Sequence, residues 1–160
     1  MQTVRDGDGN TYLLVKRSDE SSLVRDPISG EERYVENAEL TVVDGEPPLE
    51  TASLAVPGVV RRVIRAVHDD RSLGLLVELV DAGPVSVTEL MDASGACESE
   101  LHGRLTEFRA TGLVEEVDVV GQRGYEATED AQKAVRLLRE TEPADGVLGG
   151  ADAEYSSSDT

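Results

Sequence analysis

The spacing of apolar positions changes near residue 57. Upstream, β-prone runs occur at 11–15, 23–25, 33–35 and 40–43. Between them lie Asp6-Gly7-Asp8-Gly9-Asn10, Ser18-Asp19-Glu20-Ser21 and Asp26-Pro27-Ile28-Ser29-Gly30. These separators are turn chemistry, because Pro presets φ while Gly and Asn accept positive φ. The pattern predicts a small antiparallel sheet or half-barrel over residues 1–45. Gly45-Glu46-Pro47-Pro48 breaks regular structure, so residues 46–56 read as a linker.

From Pro57 the period becomes 3.6. Val59, Val60, Val63, Ile64 and Val67 form one apolar stripe, with Arg61, Arg62, Arg65 and His68 opposite it. A second helix over 72–82 has almost no polar face, as expected of the central helix of a bundle. Ser86-Val87-Thr88-Glu89 matches a capping box and opens a short helix ending near Ser94-Gly95. The next helix spans 96–111, with Cys97, Leu101, Leu105 and Phe108 toward the core. Two helices joined by a tight Gly-containing turn make a helix-turn-helix. Residues 113–120 then partly alternate apolar and acidic, Gly121-Gln122-Arg123-Gly124 reads as a turn, and Tyr125-Glu126-Ala127 returns as the second strand of a hairpin. Thr128 is a candidate N-cap for a last helix with Ala131, Ala134, Val135 and Leu138 on its apolar face.

Composition adds a constraint on the core. One Phe, four Tyr and no Trp leave it to Leu, Val, Ile and Ala. Charge adds more. Of the net −18, residues 1–56 contribute −7, residues 57–139 −5 and residues 140–160 −6. The excess therefore lies in every segment rather than in one tail. With only two Lys against 13 Arg, it points to a chain adapted to molar cytoplasmic salt. Residues 141–160 are Gly, Ala, Ser and acid, and are expected to stay disordered. There is no run of 18 apolar residues and no N-terminal apolar segment of signal-peptide type, so neither a membrane span nor export is expected and the chain reads as cytoplasmic.

Catalytic and metal chemistry find little support. Asp6 to Asn10 begins like a calcium loop, but Thr11 stands where Gly is needed and Arg17 where a bidentate Glu is needed. His68, His102 and the single Cys97 give no zinc spacing. No phosphate loop or nucleophile elbow is present. No enzyme, metal or cofactor is expected. Cys97, on an apolar stripe, reads as a buried structural thiol rather than a redox sensor.

The run 73–138 resembles winged helix-turn-helix transcription regulators of the MarR and ArsR type. The residues that carry this are Ser86 to Leu90, Leu101, Leu105, Thr111-Gly112-Leu113-Val114 and Gly121 to Thr128. The block Tyr12 to Lys16 with Val24 to Tyr34 resembles a module that precedes a helix-turn-helix domain in a haloarchaeal two-domain family. The fold class expected is therefore α+β: a β module (1–45), a linker (46–56), a winged helix-turn-helix domain (57–140) and an acidic tail (141–160).

The resemblance implies double-stranded DNA as partner, with the helix at 96–111 in the major groove and the wing on the backbone. The DNA-facing candidates are Ser99, His102, Gly103, Thr106 and Arg109 on that helix, and Arg123 in the wing. Glu100 and Glu107 flank this face and oppose phosphate. Arg61, Arg62 and Arg65 fit either backbone contacts or a dimer interface. A homodimer is expected, and an unknown ligand or protein at the N-terminal module. The alternative is a protein–protein adaptor whose winged helix does not bind DNA.

Overall fold

The computed structural model describes residues 1–140, so the acidic tail expected from residue 141 lies outside the described residues. The architecture is α+β, in two compact units: Met1–Arg61, and the rest from Arg62 onward.

The first unit is a five-stranded antiparallel sheet of β1 (Gln2–Arg5), β2 (Thr11–Arg17), β3 (Ser21–Arg25), β4 (Glu32–Glu36) and β5 (Thr41–Val42), in the order β4-β3-β2-β1-β5. Strand β1 was not anticipated, since four residues are too short to show a period. Its Thr3 and Val4 are nonetheless buried. The Asp6 loop closes the β1–β2 hairpin. The Asp6 carboxylate accepts from the N–H groups of Asp8 (3.0 Å) and Asn10 (2.9 Å) and from Asn10 Nδ2 (3.1 Å). Hydrogen bonding to Asn10 holds its pKa below the usual carboxylate value. Val4, Tyr12, Leu14, Val24 and Val35 pack on one face, with Leu40 against them.

The stretch expected as a linker is structured. Helix α1 (Pro48–Ala52) starts with Pro at its first position, where the missing N–H costs nothing. A 3-10 turn follows at Ser53–Ala55. Thr51 is buried and shares a 2.8 Å hydroxyl–hydroxyl hydrogen bond with Thr3. The Pro-Pro pair thus opens a helix that packs on the sheet rather than spacing two bodies.

Helix α2 (Gly58–Ala66) contains the division between the units. The second unit continues with α3 (Asp70–Ala82), β6 (Val85–Ser86), α4 (Val87–Ser94), α5 (Glu98–Ala110), β7 (Val114–Val119), β8 (Gln122–Ala127) and α6 (Glu129–Arg139). This is a winged helix-turn-helix. Asp69 caps α3 by accepting from the Ser72 N–H at 2.8 Å. The capping box forms as expected: Ser86 Oγ accepts from the Glu89 N–H (3.2 Å), and Glu89 Oε2 from the Ser86 N–H (3.3 Å). Leu76, Leu79, Leu101, Leu105, Phe108, Leu113, Tyr125, Ala131 and Ala134 form the core. Ile64, expected on the α2 stripe, is 63% exposed. The buried line of α2 runs through Val60, Val63 and Ala66, and Ile64 lies about 100° around the helix from Val63.

The wing differs from expectation at its turn. The hairpin closes through two residues, Val120 and Gly121, both at positive φ (50° and 77°), so Gln122, Arg123 and Gly124 belong to β8. Gly124 is not a turn glycine. It faces strand β6, which adds to β8 as a third strand. A Cβ there would stand 2.5 Å from the Val85 carbonyl oxygen and 2.6 Å from Val119 Cγ2. Gly124→Ala should therefore destabilise the second unit by about 1–3 kcal/mol through overpacking. Urea unfolding checks this, and an unchanged midpoint would show that the β6–β8 approach is looser than described.

Candidate nucleic-acid interface

Leu101, Leu105 and Phe108 turn inward and fix the rotation of α5. Ser99, His102, Gly103, Thr106, Arg109 and Ala110 are consequently exposed, as the helical phase predicts. Cys97 does not follow that phase. It is the N-cap residue, with extended backbone (φ −72°, ψ 157°), and it is exposed rather than buried. The helix begins two residues later than the pattern implied, so the apolar stripe never reaches it. The thiol is 3.3 Å from Ser99 Oγ. That hydroxyl, and then the Glu100 N–H, hold its pKa below the ordinary thiol value.

A groove of about 850 Å³ runs between the N-terminal half of α5 and the wing. It brings together three of the expected residues, Ser99, His102 and Arg123, with Cys97 and Tyr125 beside them. Gly103, Thr106 and Arg109 do not line it. The Thr106 hydroxyl donates to the His102 carbonyl at 2.8 Å, which leaves its oxygen lone pairs as acceptors.

The inner face of the wing is the part that the sequence did not reveal. Glu116 lies opposite Tyr125, and Asp118 opposite Arg123. Arg123 Nη2 donates to the Tyr125 hydroxyl at 3.0 Å, and the guanidinium carbon lies 5.8 Å from the Tyr125 ring centre. Arg123 Nε is also 3.2 Å from Glu116 Oε1, while Arg109 Nη1, from the last turn of α5, is 3.2 Å from Glu116 Oε2. One carboxylate thus holds both arginines expected at DNA. Arg123 and Tyr125 two apart on one strand could have signalled their contact. Nothing local could have placed Arg109 beside Glu116.

The acids on the flanks of α5 each have a side-chain partner. Glu100 pairs with Arg104 (2.9 Å) and Arg71 (3.7 Å), and Glu107 is 3.2 Å from His68 Nε2. The triplet Arg61, Arg62 and Arg65 does not act as one patch. Arg61 Nη1 donates to Ser53 Oγ (3.3 Å), Arg62 pairs with Asp130 (2.8 Å), and Arg65 is exposed with no ion pair among the described residues. No group of three or more metal-ligating side chains occurs among the described residues. No helix among them is long and apolar enough to cross a membrane.

A family model matches residues 1–139. The chain belongs to the family of unknown function DUF7346. No curated protein matches it. Solved structures resemble it at low identity. The transcriptional regulator HlyU of Vibrio vulnificus is 24% identical with a TM-score of 0.44, over 52% of this chain and 86% of that one. NolR of Sinorhizobium fredii is 20% identical with a TM-score of 0.47, over 61% and 95%. The homodimeric winged helix-turn-helix DNA-binding domain of Mb0332 from Mycobacterium bovis is 22% identical with a TM-score of 0.47, over 74% and 100%.

The wing tip carries strain. Val120 is β-branched, sits at φ 50° and is 97% exposed, so no packing offsets its left-handed backbone. Asn suits that position of a two-residue hairpin. Val120→Asn should raise stability by about 1 kcal/mol. Thermal melts test this, and a lower melting temperature would contradict the strain.

Proposed function

We propose that the chain is a DNA-binding transcription regulator of a halophilic prokaryote, acting in the cytoplasm as a homodimer and without enzymatic activity. The observation that carries the reading is the exposed face of α5, continuous with a groove that ends at Arg123. In this reading α5 enters the major groove and the wing lies on the adjoining backbone. Ser99, His102, Gly103 and Thr106 meet base edges or sugar-phosphate, with Gly103 allowing close approach. Arg109 and Arg123 meet phosphates. Arg65 is the member of the arginine triplet left to serve the backbone or a partner. Exposed Ile64 and Leu73 (37%) lie on α2 and α3 rather than on α5, and a second copy would cover them. In the N-terminal unit, exposed Ile28 (74%) and Tyr34 (64%) offer a surface to a ligand or protein.

The adaptor reading keeps one supporting observation. Glu116 and Asp118 share the face of Arg123 in the wing while Glu115 and Glu126 load the other face, and such an acidic hairpin suits a basic protein partner as well as it resists phosphate.

Salt decides how this charge behaves. Glu115 stands directly opposite Glu126, a repulsive cross-strand pair. The acidic excess of every segment acts in the same sense. The melting temperature should climb as KCl rises toward molar, and a flat profile would overturn the halophile reading. Sedimentation equilibrium across the same series reads the oligomeric state, with a monomer at micromolar concentration excluding the dimer.

DNA contacts should separate by type. Arg123→Ala should weaken binding about equally on all sequences, because a backbone contact carries no direct base information. Ser99→Ala and Thr106→Ala should change preference between sequences, each lost base contact costing ~1–3 kcal/mol. Titrations on genomic fragments and scrambled duplexes in high KCl, with folding followed by circular dichroism, measure both. Folded variants that all bind as wild type would exclude this docking. A wild type that binds no DNA at any KCl concentration would favour the adaptor.

A further inference from the structure

Arg109 and Arg123 come from different elements, the last turn of α5 and the start of β8, yet converge on one carboxylate. Each takes a different oxygen of Glu116 at 3.2 Å. A phosphodiester presents the same arrangement, two anionic oxygens on one centre, and guanidinium groups accept either anion. The three side chains are 39–52% exposed, so solvent can hydrate a departing carboxylate, and exposed pairs of this kind are individually weak. Arg123 would not follow Glu116 outward. Its Nη2 stays on the buried Tyr125 hydroxyl at 3.0 Å.

We propose that Glu116 occupies a phosphate-binding position, and that a DNA backbone phosphate displaces it to bridge Arg109 and Arg123. This rests on the DNA-binding reading. The consequence is a competition within the protein: every binding event must first free the two arginines from an internal anion. Glu116 therefore lowers non-specific affinity and sharpens dependence on base contacts. It also links the wing to the recognition helix in the free protein, presenting both cations at one spacing before DNA arrives.

Neutralising the carboxylate without changing its shape tests this. Glu116→Gln should bind a mixed-sequence 30-base-pair duplex more tightly at low KCl, on the order of tenfold, since two exposed pairs no longer compete. Its plot of log K against log [KCl] should be steeper than wild type by about one, for one more phosphate effectively neutralised. Glu115→Gln is the control. It removes the same charge from the adjacent position on the same strand, but from the opposite face, and pairs with Glu126 instead of the arginines. A gain confined to Glu116→Gln supports the proposal. Equal gains in both variants overturn it in favour of general charge, and no gain in either overturns it outright, while wild-type binding keeps the DNA reading intact. If wild type and both folded variants bind no DNA from low to molar KCl, the DNA reading falls and the proposal with it.

Discussion

Leu101, Leu105 and Phe108 are each at most 2% exposed, and everything offered by α5 depends on their burial. Their spacing of four and three places them on one line of the helix, against a core that includes Leu76, Leu79 and Leu113. Burying each is worth roughly 1.5–3 kcal/mol, far more than any surface pair on the helix. Rotating α5 to present a different face would expose all three at once. The identity of the outward residues is therefore a consequence of the inward ones, and Ser99, Gly103 and Thr106 face out whether or not they touch anything. The wing is held to the same core through Tyr125, so the groove between helix and hairpin has two walls anchored in one set of buried side chains.

Charge organises the surface over that frame. The segment 57–139 has 10 basic and 15 acidic side chains. Most of its arginines pair with acids: Arg62 with Asp130, Arg104 with Glu100 and Asp69, Arg109 and Arg123 with Glu116, and Arg139 with Asp81 at 2.7 Å. Arg62–Asp130, Arg104–Asp69 and Arg139–Asp81 tie elements that are distant in sequence. They also mean that counting basic residues overstates the positive field available to a nucleic acid. What distinguishes Arg123 is its second anchor, the Tyr125 hydroxyl, which keeps the guanidinium in place independently of its carboxylate partner.

The helical half was legible because its periods are long and its stop and start signals local. Ser86 and Glu89 form the capping box that their spacing announced, and Gly95 terminates α4 in the left-handed conformation (φ 63°). Short or non-local features were not legible. Strand β1 has four residues, and β6 only two, stabilised by pairing with β8. Pro47-Pro48 looked like a break and instead begins a helix, because the packing of Thr51 on Thr3 is invisible from position 51 alone. Gly124 was assigned to a turn because glycine is the usual turn residue, whereas the structure requires it for a close backbone approach. Cys97 is misplaced when the helix phase is carried two residues before its true start. In the candidate site, the residues on α5 followed from phase, but the partner of two of its arginines did not. Glu116 stands seven residues beyond Arg109 and seven before Arg123, and only the fold brings the three together.

Distance then explains how one surface can carry so much acid and still hold its pairs. At ~1 M salt the Debye length is ~3 Å, against ~10 Å at 0.1 M. The ion pairs of the second unit lie between 2.7 and 3.7 Å, comparable to the molar-salt Debye length, so they are screened less than charges farther apart. Directly opposed Glu115 and Glu126 have Cβ atoms ~4.5–5.5 Å apart with no hydrogen bond joining their carboxylates, and the dispersed acids repel over longer paths. Raising salt therefore damps the destabilising interactions more than the stabilising ones. In the proposed complex the same selection would apply to a polyanionic partner: its long-range repulsion from the acidic body would fade, while contacts within hydrogen-bond reach of α5 and Arg123 would survive. A chain of net charge −18 is thus compatible with a phosphate backbone at molar salt, provided that the binding is carried by close contacts rather than by field.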